Sequence, residues 1–150
     1  STQRAFSMIE LIIVMAIISI LAAISVPFMW NYLDKAQSVS AVSDIERISK
    51  SIELYVAEKG YPPNSLADVY MDELKDPWGN PYQYLSFETV KGKGNGEFRK
   101  DRNLVPINSD YDLYSMGPDG KSSGPLTAKA SRDDIIRAGN GSFVGIAEDY

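Results

Sequence analysis

Leu11-Ile12-Ile13-Val14-Met15-Ala16-Ile17-Ile18-Ser19-Ile20-Leu21-Ala22-Ala23-Ile24-Ser25-Val26-Pro27-Phe28-Met29-Trp30 is a run of twenty residues without a charged side chain. At ~1.5 Å per residue, a helix of this length matches the ~30 Å hydrocarbon core of a bilayer. The run sits inside a longer stretch built for a helix. All eleven glycines lie at or beyond Gly60 and seven of the eight prolines at or beyond Pro62, so Pro27 is the one helix breaker in the first 59 residues. Glycine and proline are the residues that most oppose a helix interior. The sequence therefore predicts one long helix that stops at Gly60, where a left-handed cap is followed by Tyr61-Pro62-Pro63.

Beyond the apolar run the pattern changes. From Asn31 to Lys59, Tyr32, Leu33, Ala36, Val39, Val42, Ile45, Ile48, Ile52 and Tyr55 recur at steps of three and four, with charged residues such as Asp44, Arg47 and Glu53 on the other side. That is an amphipathic helix with one stripe to bury. From Tyr61 to Tyr150 the chain reads as short strands between turns. Residues 81–87 and 111–116 are aromatic and alternating, and residues 142–147 offer a third strand. The charged, glycine-rich stretch Lys91–Asn103 suits a hairpin excursion or a solvated loop. A small sheet needs a cover for its apolar face, and the helical stripe is the long one available. The expected class is α+β.

A chain of 150 residues with formal net charge -5 makes one ordinary domain and lacks the basic face that nucleic acid requires. Without Cys or His it has no disulfide, no thiolate or imidazole metal site, and no catalysis through either residue. Any metal must be held by oxygen. Asp133 with Asp134, Glu46 with Glu53, and Ser115 are the residue types that acid–base or nucleophilic work uses, but no phosphate-cradling or oxyanion motif accompanies them. The chain is not expected to be an enzyme.

Glu10 discriminates among readings of the apolar run. A cleaved secretory signal would use Arg4 and a site near Ala22-Ala23, and a plain single-span anchor would need no carboxylate. Glu10 stands at the mouth of the run, with no further charge until Asp34. Leaving a carboxylate unpaired in hydrocarbon costs about 2.5 to 3.5 kcal/mol on insertion scales. No cation follows one helical turn later, so a partner on another molecule is expected.

The segment Phe6-Ser7-Met8-Ile9-Glu10-Leu11 through Pro27 closely resembles the N-terminus of type IV pilins and type II secretion pseudopilins. The resemblance implies a cut by a prepilin peptidase between Ala5 and Phe6, methylation of Phe6, pairing of Glu10 with the terminal amine of a neighbouring subunit, and Pro27 as the proline near which filament helices melt. A Gly normally precedes the cut, where Ala5 stands here, and the mature N-terminus reads as Ser1 or Phe6. Four parts are expected: a leader remnant at 1–5, a transmembrane and assembly helix at 6–30, an amphipathic helix at 31–60, and a β-rich head at 61–150.

Two further blocks, Asp76-Pro77-Trp78-Gly79-Asn80-Pro81-Tyr82-Gln83-Tyr84 and Tyr111-Asp112-Leu113-Tyr114-Ser115-Met116-Gly117-Pro118-Asp119-Gly120, resemble the major pseudopilins of type II secretion. Physically, the first block is a packed turn that frees Trp78 to lie on the helix. The resemblance implies calcium in the tail, bound by the side chains of Asp119, Asp133 and Asp134 and the carbonyl of Met116; the alternative is that each Asp caps or turns the chain with no metal. It also implies a type IV pilin-like fold, and a subunit that leaves the lipid bilayer of the inner membrane to form a homopolymer, a periplasmic pseudopilus that drives protein secretion. Minor pseudopilins and an inner-membrane assembly platform are the implied partners. The alternatives are the major subunit of a surface type IV pilus and a monomeric membrane-anchored binding module.

Overall fold

In the computed structural model, residues 4–90 and 98–150 are described. The chain divides into two compact units, Ser1–Ala36 and Gln37–Tyr150. One helix, α1 (Met8–Lys59), contributes to both.

In the first unit every described side chain is exposed, from Phe6 through Ala36. This helical segment is long and apolar enough to cross a membrane, and none of its most apolar window is buried. Its Ser19 hydroxyl donates to the Met15 carbonyl at 2.7 Å, which satisfies a polar group within the helix itself. Pro27 lies inside α1 without ending it. It has no N–H to give to the Ala23 carbonyl one turn back, so the helix is weakest there.

In the second unit α1 buries Ala41, Ile45, Ile48 and Ile52 completely, with Val42 and Tyr55 beside them. The expected stripe reached back through Val39, Ala36, Leu33 and Tyr32, and these four are exposed. The steps between 41, 45, 48 and 52 fix the buried line; carried back, they lead to Ser38 and Gln37, so the apolar contact ends at Ala41. At the far end Gly60 takes φ +82° and its N–H bonds the Val56 carbonyl at 2.8 Å, the left-handed stop that the sequence predicts.

Four strands follow: β1 (Gln83–Ser86), β2 (Tyr111–Ser115), β3 (Ile135–Ala138) and β4 (Phe143–Ile146). They form an antiparallel sheet in the order β1-β2-β3-β4, with Tyr84 opposite Leu113, Ser115 opposite Ile135, and Ile136 opposite Gly145. One face carries Tyr111, Leu113 and Ile135 into the cluster built on Ile45, Ile48 and Ile52. The other carries Ile136 and Ala138 into a smaller cluster with Ile107, Leu126 and Ala147. β1, β2 and β4 fall within the three expected strands. β3 was not foreseen.

The stretch Lys91–Asn103 also departs from expectation. Residues 91–97 lie outside the described residues. From Phe98 to Asp101 the chain is packed, and only Arg102 to Leu104 turn out into solvent: Phe98 meets Phe87 at 4.5 Å between ring centroids, and Arg99 is 3% exposed. Lys100 bridges Pro125 in parallel, its N–H reaching the Gly124 carbonyl while its own carbonyl accepts from Leu126.

Candidate functional site

The apolar helix begins at a reciprocal cap. The Ser7 N–H donates to Glu10 Oε2 at 2.8 Å, and the Glu10 N–H donates to Ser7 Oγ at 3.3 Å. This is a capping box, with Ser7 just before the first turn and Glu10 three residues on. The S-x-x-E spacing of Ser7-Met8-Ile9-Glu10 announces it, although Glu10 alone draws attention as a charge. Its carboxylate is thus held at the positive end of its own helix dipole. Ala5 and Phe6 precede the helix as exposed, non-helical residues.

The two aromatic blocks lock together through one carboxylate. Asp76 Oδ1 accepts the N–H groups of Trp78 at 3.1 Å and Asn80 at 2.8 Å, and Asp76 Oδ2 accepts the Ser115 hydroxyl at 2.6 Å. The Ser115 oxygen in turn accepts the Gly117 N–H. Trp78 packs against the helix-side cluster as expected, and the Tyr82 hydroxyl donates to Asp44 on α1 at 2.9 Å. Burial raises the pKa of that hydroxyl. Ser115, once a candidate nucleophile, is buried as a hydrogen-bonded strut.

The tail does not gather its three aspartates. Asp119 Oδ1 accepts the Lys121 N–H at 2.8 Å and closes its own turn, and the Asp119 N–H donates to Asp133 Oδ2 at 3.3 Å. Gly117 takes φ +64°, and a Cβ there would collide with the Asp133 carbonyl, which keeps these two segments close. Asp134, the next residue, turns the other way into the protein. It is fully buried, and its Oδ2 accepts Arg99 Nη2 at 2.6 Å as well as the Ser122 hydroxyl.

Burial pushes the Asp134 carboxyl up to about 6, against the pull of Ser122 and Arg99. Its Oδ1 is buried without a hydrogen-bond partner among the described residues. Among the described residues there is no group of three or more acidic side chains able to hold a metal ion. The calcium set that the resemblance implies, Asp119, Asp133, Asp134 and the Met116 carbonyl, is divided: the Asp119 N–H meets Asp133 Oδ2, while Asp134 Oδ2 is taken by Arg99 and Ser122.

Arg99 is the residue that sequence reasoning missed. It lies in a stretch whose charge reads as solvated, and its carboxylate partner is 35 positions away. Asp112 next to it on β2 accepts the Arg99 N–H at 2.8 Å and the Asn108 amide at 3.0 Å, and burial raises its carboxyl pKa. The remaining acidic pair of the sequence, Glu46 and Glu53, is exposed on α1, with Glu53 bonded to Lys50 at 3.2 Å.

Known proteins show the same two regions. Residues 1–26 match the family described as the prokaryotic N-terminal methylation motif. The type II secretion system core protein G of Pseudomonas aeruginosa is 32% identical over 143 residues, an alignment covering 81% of this chain and 88% of that protein. The proteins of the same name from Aeromonas hydrophila and Escherichia coli strain K12 are 31% and 29% identical, across 80% and 91% of this chain and 86% and 92% of theirs. No solved structure matches the chain. An apolar N-terminal helix that opens on Phe6 and Glu10, a head closed by the Asp76 lock, and likeness over most of its length agree: the chain belongs to the type II secretion system core protein G family.

Proposed function

We propose that this chain is a structural subunit, not an enzyme, which polymerises through its N-terminal helix into a periplasmic pseudopilus that drives type II protein secretion. The observation that carries the reading is the first unit of the structure. A helical segment with every described side chain exposed leaves its apolar surface uncovered in water, with one carboxylate at its mouth. Before assembly the lipid bilayer of the inner membrane covers it. In the filament, sister helices do.

Hydrophobic burial supplies the affinity: several hundred Å² per neighbour, at ~25 cal/mol per Å², is on the order of 10 kcal/mol before ordering costs. Glu10 supplies the register. Cleavage between Ala5 and Phe6 by a prepilin peptidase frees an amine, and the amine of an arriving subunit pairs with Glu10 of its neighbour. A wrong stagger leaves that charge unpaired in a dry setting. The contact is head-to-tail with a rise, so it propagates as an open helix. Minor pseudopilins and an inner-membrane assembly platform are the further partners in this reading.

The test is Glu10→Ala in a host that secretes through this system. The subunit is expected to remain in the inner membrane with a folded head, while cross-linked filament ladders and export of secreted proteins disappear. Ladders and export at wild-type levels would overturn the proposal. The mass of the native N-terminus, read by mass spectrometry, should be that of a chain starting at methylated Phe6.

A further inference from the structure

We propose that Arg99 is the resident cation of this head, covalently part of the chain, and that it fastens the tail without a divalent metal. Its guanidinium lies over the Tyr114 ring at 4.2 Å and reaches three partners across the loop that follows Gly120. Nη2 donates to Asp134 Oδ2 at 2.6 Å, and Nη1 donates to the Ser122 hydroxyl and to the Ser123 carbonyl, the latter at 2.9 Å. The Ser122 hydroxyl also donates to Asp134, so Ser122, Asp134 and the guanidinium close one ring of bonds.

The donor set explains why a guanidinium suits this place. One buried carboxylate oxygen, one hydroxyl and one carbonyl are too few and too weakly charged for a hard divalent ion, which takes six to eight oxygens. They match a planar fork that carries a single delocalised charge and cannot be deprotonated. A divalent ion brought to Asp134 would meet a buried positive charge in direct contact with its ligand. The arginine is itself anchored: its N–H bonds Asp112, its carbonyl accepts the Ile107 N–H, and the residue after it bridges Pro125. The fastening is therefore always present and does not vary with the metal content of its surroundings.

The test uses the full chain in detergent micelles, with melting followed by near-ultraviolet circular dichroism and tail opening by trypsin cleavage at Lys121, Lys129 and Arg132. For the wild type, the melting midpoint and the cleavage rate are expected to be the same in EDTA and in millimolar calcium chloride. Arg99→Met should lower the midpoint by several degrees and speed cleavage about tenfold, as expected when a buried partner of a carboxylate is lost. Arg99→Lys should fail to restore either, since an ammonium cannot span both Asp134 and the Ser122–Ser123 loop. A wild-type midpoint that rises with calcium or falls with EDTA would overturn the proposal, and this arm holds even where Arg99→Met does not fold. Arg99→Met melting and cleaving like the wild type would overturn it as well.

Discussion

Asp76 holds two backbone N–H groups and a hydroxyl at once, with 4% of its surface exposed. Truncating it strands one buried hydroxyl and two part-buried N–H groups, so Asp76→Ala is expected to lower stability by roughly 2 kcal/mol in chemical denaturation. Asp112 acts through its charge. Burial raises its carboxyl pKa above the ordinary value, so protonation favours the folded state, and its contribution to stability grows as pH falls from neutral through the folded pKa. The stability of the wild type relative to Asp112→Asn should therefore rise between pH 7 and pH 4; a flat difference would contradict the assignment. Neither role is legible in the sequence. Asp76 and Ser115 both stand in the aromatic blocks, but a bond across 39 positions leaves no local pattern.

At the scale of elements, visibility follows burial. α1 and its stop are plain because no glycine and a single proline, Pro27, precede Gly60, and β1 and β2 show aromatic alternation. β3 is hidden because all four of its residues are buried, which removes the alternation that marks a half-exposed strand. Its Arg137 adds to the disguise. That side chain is held by Asp110 through two bonds of 2.8 and 2.9 Å and lies over the Tyr111 ring at 4.0 Å, so a charge sits within a buried strand. The packed stripe of α1 was legible in period but not in extent, since Val39 has the right character and the wrong angle. Ile45 lies at its centre with no exposure, so Ile45→Ala should cost about 3 kcal/mol by thermal melting, whereas Val39→Ala should cost under about 0.5 kcal/mol.

The whole molecule combines a head that buries its apolar side chains with a helical segment that leaves its own exposed. This contrast explains why Glu10→Ala is expected to remove assembly and leave the head's melting unchanged. Loss of the carboxylate is felt where it must choose a partner, while the head's cohesion comes from Ile45, Ile48, Ile52 and the sheet. Membership of the secretion family was legible from the first 27 residues and the two blocks, because those patterns are contiguous. The partner of Asp134 was not, because its arginine comes from a distant segment.

The reciprocal bonds between Ser7 and Glu10 have one more consequence. A lone subunit already engages its acid at home, so in the proposed filament the net gain from a sister's amine is only the difference between that engagement and this one.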